Sequence, residues 1–231
     1  MNTQIYGPIV INLDRRKDRL AHITRVFSKL DTHFIRLQAT DFVDDPAMAC
    51  HDSHCRALEA FLKTDRQACF ICEDDLEFIV TKDEINTYIN SFLDDPESEA
   101  LCIGCISREH YAYSTQNNRL FYRTTDCQAR TAYIIKRSLA KDLLILWRRL
   151  YVLRITGSHK NIPNWYSKLF STCPLKTQPV DIYRGDQCWK ILQQSRIFLI
   201  PNKWIAIQKA SYSDIEQKQV DYYKFLYLNP I

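Results

Sequence analysis

Ala68-Cys69-Phe70-Ile71-Cys72-Glu73-Asp74-Asp75 is the stretch that decides the fold: five apolar residues end abruptly in three acids. A short unbroken apolar run of this kind is the pattern of a strand buried on both faces. Ile9-Val10-Ile11-Asn12-Leu13 has the same character, and after it Leu20, Ile23, Phe27 and Leu30 recur at helical spacing between charges. Residues 34–37 read as another strand, 51–63 as a helix, 83–93 as a helix with Ile85, Tyr88, Ile89 and Phe92 on one face, and 101–106 as a further buried strand. This alternation predicts an α/β fold with a mostly parallel central sheet and helices on both faces. Residues 107–118 read as a loop, 120–123 and 132–135 as strands, 138–153 as a helix, and 197–200 and 204–207 as closing strands. Those late neighbouring strands predict a small antiparallel addition, and no repeat or linker divides residues 1–231.

A chain of 231 residues, 46% hydrophobic and 25% charged, is long enough to bury a large core without disulfide staples. Its formal charge of +4 is too slight to mark a nucleic-acid binder, and none is expected. The four glycines, Gly7, Gly104, Gly157 and Gly185, cannot be arranged into a dinucleotide fingerprint or a phosphate loop, which excludes both classes. The longest apolar approach to a membrane span, residues 143–155, is broken by Arg148, Arg149 and Arg154. The first residues lack the pattern of a secretory signal, and nine cysteines, an odd number, read as reduced thiols; a cytoplasmic setting is expected. Cys69-x-x-Cys72 and Cys102-x-x-Cys105 each lie in an apolar strand run, where positions i and i+3 face opposite sides, so neither pair chelates an ion unless the strand breaks into a turn, and buried thiols are the expectation.

The acids carry the first functional expectation. Strand alternation puts Glu73 and Asp75 on one face and Asp74 on the other. In open α/β sheets ligands bind beyond the carboxyl ends of strands, where these residues fall. Adjacent carboxylates repel one another unless a cation neutralises them, and hard oxygen ligands suit Mg²⁺ or Mn²⁺, which in turn clamp a diphosphate. Glu73 and Asp75 are therefore the metal candidates; the competing reading is a solvated turn whose acids cap the next helix. Asn12 and Asp41 also follow strand ends, where ordinary capping is one reading of each, while Asp14 is a candidate cap for the helix that follows it.

Asn12-Leu13-Asp14-Arg15-Arg16-Lys17-Asp18-Arg19 resembles the N-L-D-R-R-x-D-R signature of glycosyltransferase family 25, which includes lipopolysaccharide glycosyltransferases and collagen galactosyltransferases. Cys50-His51-Asp52-Ser53-His54 is similar to its G-C-x-x-S-H helix, with Ala49 in place of the glycine, and Glu73-Asp74-Asp75 to its L-E-D-D motif. Pro179-Val180-Asp181, Gln208 and Ser213-Asp214-Ile215 follow in the family's order, while Phe42 replaces the glycine expected after Asp41. The resemblance implies a GT-A fold, with residues 1–106 as the nucleotide- and metal-binding half and 107–231 as the acceptor half. It implies a UDP-sugar donor, galactose first, with Mn²⁺ or Mg²⁺ and inverting transfer to a hydroxyl of a glycan, glycolipid or glycoprotein. Asn12, Asp14, Arg19, Asp41, Ser53, His54, Asp74 and Gln208 become donor-binding candidates. Inversion needs a base for the acceptor's proton; Asp181 is the first candidate and Asp186 the second, with a helix cap as the other reading of Asp186. A silent glycan-binding protein on the same frame is the alternative function.

Residues 143–180 contain no acid before Asp181, and Arg148, Arg149, Arg154, Lys160, Lys168 and Lys176 are interleaved with Trp147, Tyr151, Trp165, Tyr166 and Phe170. Such a segment suits peripheral contact with an anionic membrane; it equally fits a core helix with a solvated basic edge.

Overall fold

The computed structural model describes residues 3–113, 119–156 and 184–221. Its strands and helices follow in the order β1 (Ile5–Asn12), α1 (Lys17–Lys29), β2 (Ile35–Gln38), α2 (Pro46–Leu62), β3 (Ala68–Glu73), β4 (Leu76–Phe78), α3 (Lys82–Asp94) and β5 (Ala100–Ala112). The second half adds β6 (Phe121–Lys136), α4 (Arg137–Ile155), α5 (Gly185–Cys188), α6 (Lys190–Gln193), β7 (Phe198–Pro201), β8 (Ala206–Gln208), β9 (Ser211–Ser213) and β10 (Lys218–Val220). Six strands make one sheet in the order β2-β1-β3-β6-β5-β7, and β6 alone runs against its neighbours. The fold is α/β with a mostly parallel sheet, and β4–β8 and β9–β10 are the small antiparallel additions.

The period of two in β3 divides the core. Cys69 and Ile71 pack with Leu58 and Phe61 of α2 and Leu143 and Trp147 of α4 on one face. Phe70 and Cys72 pack with Ile23 and Phe27 of α1 and Ile89 and Phe92 of α3 on the other. Every β3 residue from Ala68 to Cys72 is fully buried, which is why the strand reads as an unbroken apolar run.

Four expectations are corrected. The loop at 107–118 is in part a strand: β5 continues to Ala112 opposite a single unbroken β6, with Glu109 facing Asp126 and Tyr111 facing Arg123. Those partners are polar and partly exposed, so ladder hydrogen bonds rather than apolar periodicity hold them, and the hydrophobic pattern is silent. Asp14 does not cap α1; Arg16 stands at that position without a side-chain cap, and Asp14 instead meets Arg36 of β2. Helix α2 starts five residues early because Asp45 accepts from the Met48 amide at 3.1 Å with Pro46 in the first turn. Register shifts in β5 bring Cys102 and Cys105 into the same core with Cys127 of β6, where a regular strand would have separated them.

Phe70→Ala is expected to cost about 3–5 kcal/mol in urea denaturation, because the ring is fully buried against Phe27 at 6.4 Å and the surrounding core cannot collapse into the space. His22 of α1 is nearly buried, with Nε2 3.0 Å from the Leu76 carbonyl oxygen and Nδ1 3.3 Å from Lys209 Nζ. Burial holds its pKa below 6.5 against the Leu76 carbonyl, and the Lys209 cation adds to the depression. The unfolded chain therefore takes up this proton first, so the stability that neutral His22 contributes is present above pH 6.5 and lost as pH falls below it. His22→Gln should flatten the decline in unfolding free energy as pH falls below 6.5.

Candidate functional site

A cleft of about 320 Å³ opens where β1, β2 and β3 end. Leu13 follows β1, Thr40 and Asp41 follow β2, and Glu73, Asp74 and Asp75 close β3. Ala49, Cys50 and Ser53 of α2 line one wall, 128–131 of β6 and 185–187 of α5 another, and Gln208 with 213–216 a third. Parallel pairing of β1 with β2 and β3 is what makes their carboxyl ends open together.

The three acids do not alternate as an extended strand would. β3 stops at Glu73 and the chain turns before β4, so Asp74 and Asp75 converge and Glu73 points elsewhere. Arg19 of α1 serves both aspartates, with Nη1 2.9 Å from Asp74 and 3.1 Å from Asp75. Its Nη2 donates to Ser211 Oγ at 2.7 Å and the Tyr212 carbonyl at 2.9 Å. Asp74 also accepts from Asn12 Nδ2 at 2.7 Å, and Asp75 from Gln208 Nε2 at 3.0 Å. Both aspartates are buried, and Asp75 Oδ1 has no hydrogen-bond partner among the described residues. Burial pushes the Asp75 carboxyl up to about 7 despite Arg19, with Glu73 and Asp74 adding to the rise. Burial likewise raises Asp74.

Glu73 meets α2 instead: Oε1 accepts from His54 Nε2 at 3.1 Å and lies 3.8 Å from Cys50 Sγ. Burial would raise its pKa, but the His54 hydrogen bond with the Arg130 and Arg19 cations holds it down at about 2. His54 is fully buried and neutral, depressed to about 4 by burial and by Arg130, and its Nδ1 lies 3.1 Å from the Tyr133 hydroxyl. Arg130 stands over the Trp147 ring at 5.0 Å, donates from Nη2 to Cys50 Sγ at 3.4 Å, and leaves Nη1 without a partner among the described residues. Gly185 makes room for it, since a Cβ there would lie 2.0 Å from Nη1. Asp186 lines the same wall and accepts from the amide of Ala129, a residue held at φ 64°.

Of the candidates read from the sequence, Arg19, Asp41, Ser53, Glu73, Asp74, Asp75, Asp186 and Gln208 line the cleft. Asn12 and His54 stand behind it, orienting Asp74 and Glu73, and Asp14 is turned to Arg36. Asp186 caps neither α5 nor α6, positions that Arg184 and Trp189 occupy. Ser53 Oγ accepts from the Thr40 amide at 2.9 Å, tying α2 to the end of β2. Asp41 meets Arg15, which also reaches Asp214 at 3.0 Å. Asp181 lies outside the described residues. Arg130, the buried cation of the cleft, carries no local motif; it follows Arg123, Asp126 and Gln128 along β6, so its sequence neighbourhood does not single it out.

In the basic segment, Arg148 pairs with Asp52 and Glu59 and Arg154 with Asp45, while Leu143, Trp147 and Leu150 are buried. That end of the segment is a core helix docked on the carboxylates of α2; its remainder, including Trp165, Tyr166 and Phe170, lies outside the described residues. Among the described residues no helix is long and apolar enough to cross a membrane.

No protein-family model matches the chain, and no curated protein matches it. Among solved structures it is similar to A197 from STIV, at 12% identity and a TM-score of 0.42 over 92% of this chain and 91% of that one. A glycosyltransferase involved in the glycosylation of the major capsid of PBCV-1 is similar at 9% identity and a TM-score of 0.42, over 92% and 95%. A mannose-1-phosphate geranyltransferase from Thermus thermophilus is similar at 8% identity and a TM-score of 0.42, over 90% and 60%. Likeness this loose assigns neither substrate nor residue roles.

Proposed function

We propose that the chain is a divalent-cation-dependent, inverting glycosyltransferase of GT-A type. It moves a hexose, galactose first, from a UDP-sugar to a hydroxyl of a glycan, glycolipid or glycoprotein, as the family 25 resemblance implies. The observation that carries the reading is Asp75: a buried carboxylate with one oxygen unpartnered among the described residues, in a cleft at the ends of parallel strands. Seven carboxylates and five arginines line that cleft, an excess of two negative charges that one Mn²⁺ or Mg²⁺ balances. Asp75 fits such an ion through Oδ1, with Asp74 beside it; Glu73, expected as a ligand there, is turned to His54. When bound, the ion neutralises charge developing on the departing diphosphate.

The chain's own residues supply the rest. Asn12, Arg19 and Gln208 hold the two aspartates in place, so their geometry is set before the donor arrives. Arg15 and Arg16, which meet Asp214 at 3.0 and 2.6 Å, line the cleft and can exchange that carboxylate for phosphate oxygens. Asp41 and Ser53 sit on the β2 side, where base and ribose would lie. Asp181 remains the first candidate to take the acceptor's proton, and Asp186, which lines the opposite wall, is the second. The protein acts in the cytoplasm, and in the basic segment 143–180 any contact with an anionic membrane surface excludes the buried Leu143, Trp147 and Leu150 and the paired Arg148 and Arg154.

Thermal unfolding with UDP-, GDP- and CMP-sugars, each with and without Mn²⁺, tests the donor. A Mn²⁺-dependent stabilisation by a UDP-sugar is expected, about 2.7 kcal/mol at a hundredfold excess over Kd, and Asp75→Asn should abolish it. No shift with any nucleotide sugar from folded protein refutes the reading and leaves the silent glycan binder. Arg19→Met should cost about 3–5 kcal/mol in urea denaturation, because it strands two buried carboxylates.

A further inference from the structure

We infer that the cleft carries a second metal site, distinct in chemistry from the hard-oxygen site at Asp75: a zinc site made by Cys50, His54 and Glu73. Cys50 and His54 are four residues apart on α2, so helical geometry puts them on one face, and Glu73 meets them from the end of β3. Cys50 Sγ lies 3.8 Å from Glu73 Oε1, His54 Nε2 lies 3.1 Å from the same oxygen, and all three ligand atoms fall within 4.8 Å of one another. Metal–ligand bonds of about 2.0–2.3 Å at tetrahedral angles give ligand–ligand edges of roughly 3.3–3.6 Å, so the two Glu73 contacts already match to a few tenths of an ångström, and Cys50 Sγ and His54 Nε2 must approach by at most about 1.2 Å to close the site on an ion. Among the described residues it is the one group of His, Cys and carboxylate ligands so gathered.

The donor set selects the metal. Thiolate, imidazole and a single carboxylate in tetrahedral array suit Zn²⁺, whereas Mg²⁺ and Mn²⁺ prefer all-oxygen surroundings such as Asp74 and Asp75. Cys50 and Glu73 line the cleft while His54 is fully buried behind them, so the fourth position faces the cleft and takes water or a hydroxyl oxygen. The surroundings support the ligands: the Tyr133 hydroxyl meets His54 Nδ1, and Arg130 Nη2 meets Cys50 Sγ. Arg130 repels a bare cation, but the thiolate and Glu73 cancel the ion's two charges, and the guanidinium then hydrogen-bonds the bound thiolate. Binding displaces one proton, from the Cys50 thiol; His54 stays neutral and moves its proton from Nε2 to Nδ1, where the Tyr133 oxygen accepts it.

Co²⁺ is the probe, added to the full chain without nucleotide so that the result is independent of transferase activity. In excess Mg²⁺, which fills the all-oxygen site, one Co²⁺ per chain with tetrahedral visible absorption and a near-ultraviolet thiolate band is expected, and Zn²⁺ should displace it. Cys50→Ser should remove the thiolate band, and Glu73→Gln should weaken binding at least about 10-fold, each in protein whose far-ultraviolet dichroism is unchanged. Asp75→Asn should keep the band, which separates this site from the donor's cation. Absence of the bands in folded wild-type protein at saturating Co²⁺ overturns the assignment, as does a thiolate band that survives in Cys50→Ser. If Cys50→Ser does not fold, loss of tetrahedral absorption in His54→Gln decides in its place, and its persistence there refutes the site.

Discussion

The pairing of one guanidinium with two buried carboxylates is the constraint around which the cleft is organised. Asp74 and Asp75 are nearly inaccessible, and Arg19 is the cation that reaches both. Two carboxylates taken out of water beside each other are strongly unfavourable unless positive charge and hydrogen bonds compensate. One arginine compensates one charge, Asn12 and Gln208 add donors, and the residual imbalance appears as an elevated Asp75 pKa and an unpartnered oxygen. The same arginine reaches Ser211 and the Tyr212 carbonyl, so β9 is tied to the acids through Arg19, and Arg16 adds a second hydrogen bond from α1's start to the Tyr212 carbonyl. The later strands are thereby drawn against the first helix.

The opposite side of the cleft solves a similar problem with other chemistry. Arg130 is buried on β6 and is accommodated by a tryptophan face, a thiol and a glycine where any side chain would collide with it. Glu73 and His54 form a neutral-to-charged hydrogen bond below it, with the carboxylate kept ionised. Acids at the end of one strand are thus divided between two environments: a hard, oxygen-rich pair and a mixed nitrogen, sulfur and oxygen group.

Much of the frame was legible because burial leaves a periodic trace. The apolar runs of β1 and β3 and the helical spacing of α1 and α3 are direct consequences of facing a core, and each appears in the structure where the pattern puts it. Residues 107–112 of β5 and 124–131 of β6 were not legible, since their partners are largely polar and their stability comes from ladder hydrogen bonds between residues about 15 apart. The start of α2 reads as a turn because Asp45-Pro46 is both a turn signal and a helix start. Among site residues, most of those near the strand ends do line the cleft, whereas Arg130 has no neighbourhood signal at all.

By itself the sequence determined the alternation of strands and helices, the mostly parallel sheet and the place of the acids beyond a buried strand, because hydrophobic period and strand termination are local properties. Which acids act together was decided by tertiary structure. A turn of two residues after Glu73 reverses the alternation, and its geometry depends on Arg19 from α1, Gln208 from β8 and His54 from α2, contacts separated by as many as 133 positions. No periodicity encodes such contacts, since they exist only once the helices have packed on the sheet and brought distant charges to the same end of it.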